Sequence, residues 1–305
     1  MKDSEIKYEK RLVAFIDILG FKEIVKQSET DISKIELIYS ALDYLKNWEA
    51  QEKWDLRLVE IEEDAQKRGV DNFDIREKTN ITAFSDSIVV SVKVDDNINE
   101  MASTLIINLA YIGAFLLEKG ILFRGGLTVG NLIHIENGTV FGQGLIDSYK
   151  LESNSAKYPR IILSDKLLKE LNYPIETKRN RYPYHQYVDR FDDGCVGFHQ
   201  MIYYQVIESW TEMTKEKLIE SLGKVRKVIV GGLDTTFENP DVFEKYKWLK
   251  EQYNNLIILE DFDFETKTHE NIKLKIHELN EDIAGQNIHY LYTDNFYESK
   301  WKKNE

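Results

Sequence analysis

Two aspartates sit inside apolar runs of this 305-residue chain, and they constrain its fold more than any other feature. Asp17 lies in Val13-Ala14-Phe15-Ile16-Asp17-Ile18-Leu19-Gly20-Phe21, and Asp86 in Ala83-Phe84-Ser85-Asp86-Ser87-Ile88-Val89-Val90. A short apolar run bounded by turn formers reads as a strand buried on both faces. A carboxylate buried there costs on the order of several kcal/mol unless a cation or strong donors compensate. Two such groups in one domain point to an oxygen-ligand site of the kind that holds Mg²⁺ against nucleotide phosphates. Either aspartate taken alone reads better as a strand end that caps a turn. The pair, with Arg124-Gly125-Gly126 downstream, favours the metal.

The length allows one large domain, or one domain with a helical appendage. The formal net charge of −13 argues against broad binding to nucleic acid or anionic membranes. It leaves nucleotide binding open, because a local metal and a few basic residues reverse the field in a cleft. The single Cys195 excludes an intrachain disulfide and a cysteine zinc site, and fits a reducing cytoplasm. Residues 1–11 are charged and lack the apolar core of a signal peptide. The most apolar helix-like run, Leu105 to Leu117, is expected to be too short to span a bilayer and contains Asn108, so it reads as a core helix.

Along the chain, residues 12–18 read as a central strand, and Gly20-Phe21 turns into a helix. Ile35, Ile38, Tyr39, Leu42 and Leu45 follow the helical period over 31–47. The charged stretch of about 48–79 reads as an exposed, partly helical excursion. Residues 81–94 form a hairpin with Asp86 near its tip. A helix over about 98–119 is ended by Gly120. Strand-like segments then cover 121–130 and 132–135, with Asn137-Gly138 as a hairpin signal. Residues 144–153 are helical, 160–164 form a strand, Phe191-Asp192-Asp193-Gly194 is a turn, and 213–230 and 240–255 are helical. This order predicts an α+β fold, an antiparallel-rich sheet with helices packed on it. The expected division is a catalytic domain over 1–170 and a mixed α/β C-terminal extension over 171–305. The six histidines, His134 among them, share no metal-ligand spacing and read as surface or satisfied residues.

The motifs carry a family resemblance. Phe15-Ile16-Asp17-Ile18-Leu19-Gly20-Phe21 resembles the first metal-binding strand and phosphate loop of class III nucleotidyl cyclases. Phe84-Ser85-Asp86-Ser87 is similar to their second metal hairpin, and Arg124 to Gly130 to the strand that follows. Leu151-Glu152-Ser153 resembles the end of their dimer-interface helix. Asp-Ile-Leu-Gly-Phe at 17–21, the Arg-Gly-Gly strand, Ala156 to Ile161 and Lys245 to Leu249 look closest to the pyrimidine cyclases of bacterial anti-phage (Pycsar) systems.

The resemblance implies a cyclase fold and a reaction. In it the ribose 3′-oxygen attacks the α-phosphate, and pyrophosphate leaves with the help of two Mn²⁺ or Mg²⁺ ions. Asp17 and Asp86, with the Ile18 carbonyl, would hold the ions. The turn Leu19-Gly20-Phe21 would offer backbone N–H groups to the terminal phosphates. Arg124 would contact phosphate. Lys150 falls where many members carry a transition-state arginine donated by the partner chain, and Ile146 where they carry a ribose-orienting asparagine. Lysine keeps the charge and loses the bidentate fork, so either Lys150 acts in its place or Arg160 does. Thr82 and Thr139 fall at the base-contacting positions, and Tyr39 or Tyr149 could fill the space a purine would occupy. The implied substrate is a pyrimidine nucleoside triphosphate, UTP before CTP. The implied assembly is a homodimer with composite sites, and the product would activate a separate effector in anti-phage defence. The alternatives are a purine (adenylate) cyclase and a non-catalytic dimerising or nucleotide-binding module.

Overall fold

The computed structural model describes residues 6–46, 79–95, 97–135, 138–173, 182–206 and 215–259. The predicted excursion over 48–79 falls almost wholly outside them. The apolar run around Asp17 forms β1 (Glu9–Ile18), which pairs antiparallel with β3 (Ser87–Lys93) on one side and with β4 (Phe123–His134) on the other. Leu12, Val13, Ala14 and Ile16 are fully buried, as expected for a central strand.

The whole sheet is eight-stranded, in the order β2-β3-β1-β4-β6-β8-β7, with β5 paired to β4. The remaining strands are β2 (Thr79–Phe84), β5 (Val140–Phe141), β6 (Arg160–Leu163), β7 (Asp189–Arg190) and β8 (Val196–His199). Every pairing is antiparallel except β4 with β6. The fold is therefore mixed α+β with an open, mostly antiparallel sheet.

Register assigns the polar residues to one face. Paired residues project to the same side and the side-chain period is two. Arg11, Val13, Phe15 and Asp17 thus share a face with Ser91, Val89 and Ser87 of β3, with Asn80, Thr82 and Phe84 of β2, and with Gly130, Thr128, Gly126 and Arg124 of β4. The opposite face is apolar: Leu12, Ala14, Ile16, Ile88, Leu127 and Val129 are all fully buried.

The helices are α1 (Phe21–Ser28), α2 (Ile32–Lys46), α3 (Ile98–Glu118), α4 (Gln143–Ser155), α5 (Asp165–Glu170), α6 (Ile202–Val206), α7 (Lys215–Thr236) and α8 (Pro240–Leu259). Glycines let α4 lie directly on the polar face. A Cβ on Gly126 would stand 2.4 Å from the Ser148 carbonyl oxygen, and one on Gly130 would stand 2.8 Å from the Gly144 Cα. These close approaches explain a difference from expectation. The segments 121–130 and 132–135 are one continuous strand, whose glycines seat a helix rather than break the chain.

Gln200 ties α3 to the strand ends. Its Oε1 accepts from the Phe123 N–H at 3.0 Å, and its Nε2 donates to the Gly113 and Ile121 carbonyls, both at 3.1 Å. Among the described residues α3 is the one helix long and apolar enough to cross a membrane, and 89% of its apolar stretch is buried. The sequence had bounded it as too short; it runs to 21 residues and is nonetheless a core helix. The expected buried stripe of α2 is a second correction. Ile35 and Tyr39 are 52% and 71% exposed, and over 32–44, where burial is described, only Ala41 is buried. Helix α2 contacts α1 and the edge strand β2, so it has little sheet to cover.

The chain divides into two compact units, residues 1–113 with 121–200, and 114–120 with 201–305. The expected division at about 170 falls inside the first unit, because β7 and β8 continue the sheet. In the second unit α7 and α8 form a helical hairpin. Leu249 and Tyr253 are fully buried, and the Tyr253 hydroxyl donates to the Leu222 carbonyl at 3.2 Å. Gly232 leaves room for the Tyr246 ring. Core packing accounts for these side chains.

Candidate active site

The predicted metal residues meet at one end of the polar face. Asp17, near the end of β1, pairs in register with Ser87 on one side and Arg124 on the other. Phe84 and Ser87 close the β2–β3 hairpin, which leaves Ser85 and Asp86 as its turn, with Ser85 at φ 56°. The Asp86 carbonyl accepts from the Ile18 N–H at 2.9 Å, which locks the turn against the end of β1. Asp17 and Asp86 are thereby neighbours. Neither is fully buried, which corrects the expectation drawn from their apolar runs. Each stands at a strand terminus: the run before Asp17 and the Ile88-Val89-Val90 run after Asp86 are buried, while Ala83 and Phe84 before Asp86 are exposed.

Arg124 is divided between two acids. Its Nε–H donates to Asp17 Oδ2 at 3.4 Å and lies 2.6 Å from Glu152 Oε1, and its Nη1 donates to the Ala156 carbonyl at 3.4 Å. Glu152 is buried, held on α4 directly above Gly126. Burial pushes its carboxyl up to about 7, against the pull of Arg124 and with a further push from Asp17. Burial also raises Asp17, Arg124 opposes the rise, and the nearby Asp86 adds to it. Asp17 and Glu152 thus face one guanidinium, with Asp86 next to Asp17. The excess of negative oxygen on a half-exposed rim suits a hard cation.

The turn expected to seat phosphates has one of its amides already engaged. The Leu19 N–H donates to the Leu122 carbonyl at 2.8 Å and is not available to a ligand. Gly20 is exposed, adopts φ 73°, and caps α1, which starts at Phe21. The carbonyl of Gly20 receives the Glu23 and Ile24 amides, while the amides of Gly20 and Phe21 have no backbone partner among the described residues. Two such N–H groups at a helix start are donors of the kind that anions accept from.

The remaining predicted residues lie apart from this cluster. Lys150 is exposed on α4, on the side away from the buried row Gly144, Ser148 and Glu152. Ile146 and Tyr149, 47% and 52% exposed, lie beside it, and the Tyr149 ring meets Phe15 edge-on at 5.3 Å. Arg160 is 1% exposed and bound to the Asp193 carboxylate and the Ser155 carbonyl, and its guanidinium lies over Phe191 at 4.6 Å. It is a structural residue, which corrects its candidacy as a replacement for the arginine. Asp193 sits in the expected turn, where Gly194 has φ 84°.

Thr82 is half-buried on β2, with its hydroxyl 2.8 Å from His134 Nε2. Thr139 is exposed after the hairpin bend, its carbonyl accepting from the Ile135 N–H at 3.1 Å, and it shares no hydrogen bond with Thr82.

Two residues carry more of the site than the sequence assigned them. Glu152 is one, and its signal was legible: Gly144, Ser148 and Glu152 recur every fourth position, a small-residue stripe that ends in an acid. Phe84 is the other. It is 50% exposed and shares a rung of the sheet with Ser87 and Asp17.

Among the described residues no group of three or more His, Cys, Asp and Glu side chains is arranged to hold a metal; the Asp17–Asp86 pair is what this rim offers. Two carboxylates suffice for Mg²⁺ or Mn²⁺ when substrate phosphates and water complete the shell. Compared with known proteins, the chain matches no protein-family model and no curated protein.

Proposed function

We propose that the chain is a metal-dependent nucleotide cyclase that makes a 3′,5′-cyclic pyrimidine monophosphate, uridine before cytidine, and releases pyrophosphate. The observation that carries this reading is the junction of Asp17, Asp86, Arg124 and the open amides of Gly20 and Phe21 at one rim of the sheet. Bound there, divalent ions would lower the pKa of the ribose hydroxyl and offset charge on the phosphates. Asp17 and Asp86 would hold the ions, the Gly20-Phe21 turn would seat the terminal phosphates, and Arg124 would neutralise a phosphate oxygen. The Phe15–Tyr149 pair narrows the face next to Asp17, which favours a single-ring base.

The reading includes a homodimer with composite sites. Lys150 faces away from its own Asp17 cluster, on a helix flank that also exposes Ile146 and Tyr149. On this reading, a second copy brings its Lys150 to the phosphates. The cyclic product serves as a second messenger to a separate effector in anti-phage defence.

The competing reading is a non-catalytic nucleotide-binding module of the same architecture. It draws on Lys150 in place of an arginine and on Glu152, which holds Arg124 at 2.6 Å. Incubation with Mn²⁺ and each ribonucleoside triphosphate in turn, followed by mass spectrometry, separates the readings. A cyclic uridine monophosphate absent with Asp86→Ala is expected. A purine product would replace the substrate assignment, and nucleotide binding without product would replace the enzyme.

A further inference from the structure

One N–H of Arg124 stands between two carboxylates, and it is given to the farther one. The Nε–H donates to Asp17 Oδ2 at 3.4 Å. Glu152 Oε1 lies only 2.6 Å from the same nitrogen and has no hydrogen bond, so it sits off the N–H direction. Glu152 is 2% exposed, and an oxygen buried to that degree cannot replace the missing bond with solvent. A small turn of the guanidinium moves the N–H from Asp17 to Glu152.

Backbone packing keeps Glu152 within reach. Gly126 lies two residues beyond Arg124 on the same face of β4, and a Cβ there would stand 2.9 Å from the Glu152 backbone nitrogen. The turn of α4 that carries Glu152 thus rests on the strand that carries Arg124, with no side chain between them to give way. The end of that helix also supplies the Ala156 carbonyl, which accepts from Arg124 Nη1 at 3.4 Å. The Ala156 N–H in turn donates to the Glu152 carbonyl at 3.1 Å. Of the groups around Arg124, Glu152 and Ala156 belong to α4, and Asp17 alone belongs to the pair that would hold an ion. A divalent cation drawn to Asp17 repels a guanidinium bound to the same carboxylate.

We infer that Glu152 is a positioning residue that takes over the Arg124 Nε–H when Asp17 turns to a divalent cation, so that Asp17 is released while Arg124 keeps its place. The inference rests on the metal-dependent reading above and adds to it a residue that acts through Arg124. No proton is transferred: it stays on Nε and changes acceptor. A guanidinium has five N–H groups. One goes to an acid and one to Ala156, so three remain without a partner among the described residues, and a phosphate can accept from these. The contact that the module reading treats as an obstruction is then what holds Arg124 ready.

The test uses the full chain at pH 8, above the value of about 7 at which Glu152 titrates, so that its carboxylate is ionised. Electron paramagnetic resonance follows Mn²⁺ uptake by the wild type and by Glu152→Gln. Nuclear magnetic resonance follows the Arg124 Nε–H as Mg²⁺ is added to each. In the wild type that resonance should move downfield at saturating Mg²⁺ and stay slow to exchange with water. Glu152→Gln should take up Mn²⁺ about tenfold more weakly, because Arg124 then stays on Asp17. Equal uptake by the two proteins overturns the inference. So does a wild-type resonance that is unmoved by Mg²⁺ or lost to exchange. Weaker uptake by Glu152→Gln with an unmoved wild-type resonance reports the field of a lost charge, not an exchange of acceptor, and overturns it as well. No uptake of Mn²⁺ by the wild type removes the underlying reading and the inference with it. The resonance of the wild type decides alone, so the outcome does not depend on whether Glu152→Gln folds.

Discussion

Two arginine-centred clusters lie on the same face of one sheet, and they are built in opposite ways. Around Arg11 the groups pair in sequence, Glu9, Asn80, Ser91, His134 and Thr82, and Arg11, Ser91 and His134 at the centre are buried. Around Arg124 the groups do not balance. Its Nε–H donates to Asp17, Glu152 Oε1 lies 2.6 Å away as an ion pair with no hydrogen bond of its own, Asp86 stands next to Asp17, and the rim is half-exposed. A matched network of this kind specifies structure and direction. An unmatched one costs stability and gains from a ligand of the missing charge. The comparison separates the residues that hold the sheet from those that await something.

The largest expected effect lies on the unmatched side. Asp17→Ala and Asp86→Ala should each lower cyclic product formation by about a hundred- to a thousandfold, measured under saturating Mn²⁺, with thermal unfolding unchanged or slightly raised. Loss of fold in either variant would make these acids structural and would collapse the contrast.

Stability effects should concentrate in the matched network and the helix seat. Arg11→Met strands Ser91 and Asn80 and should cost about 2–4 kcal/mol in urea denaturation. Gly126→Ala drives a methyl into the Ser148 carbonyl and should cost about 3 kcal/mol while lifting Glu152 from Arg124.

The two clusters should also respond to pH with opposite sign. Glu152 titrates at about 7 in the fold against an ordinary 4.5, so the fold binds the extra proton and loses stability as pH rises between those values. Glu152→Gln should flatten that slope in metal-free protein and raise stability at pH 8. His134 titrates at about 4 against an ordinary 6.5, so its contribution is present above 6.5 and is lost as pH falls toward 4. The buried His199 is shifted the same way by desolvation, and the difference between wild type and His134→Phe isolates the share of His134. Chemical denaturation across pH 4–8 reads both slopes.

The smallest effect belongs to Thr139→Ala. Thr139 is exposed and its recorded bond is through the backbone, so stability should move by under about 0.5 kcal/mol. The ratio of UTP to CTP binding should not move.

Much of this contrast was visible in the chain before folding. Periodicity and turn residues located β1, the hairpin at Ser85-Asp86, the stop of α3 at Gly120 and the pair α7–α8, because each is a local signal. The pairing of Asp17 with Asp86 followed from two apolar runs. Partner choice over long range was not visible. Nothing near Arg160 announces Asp193, and nothing near Leu19 says that its amide is taken by Leu122. The glycines of β4 look like strand breakers until α4 is laid across them. His134 reads as an ordinary histidine until register sets it between Ser91 and Thr82. These features arise from pairings between distant segments, which composition and period do not encode.

The most direct test of the central claim is a Mn²⁺ titration of the nucleotide-free protein followed by electron paramagnetic resonance, for the wild type, Asp17→Asn and Asp86→Asn. Uptake by the wild type, weakened at least about tenfold in each variant with the fold intact, is the predicted result. Equal uptake by all three proteins would contradict the account, because the unbalanced carboxylates of the sheet rim would then not be what holds the ion.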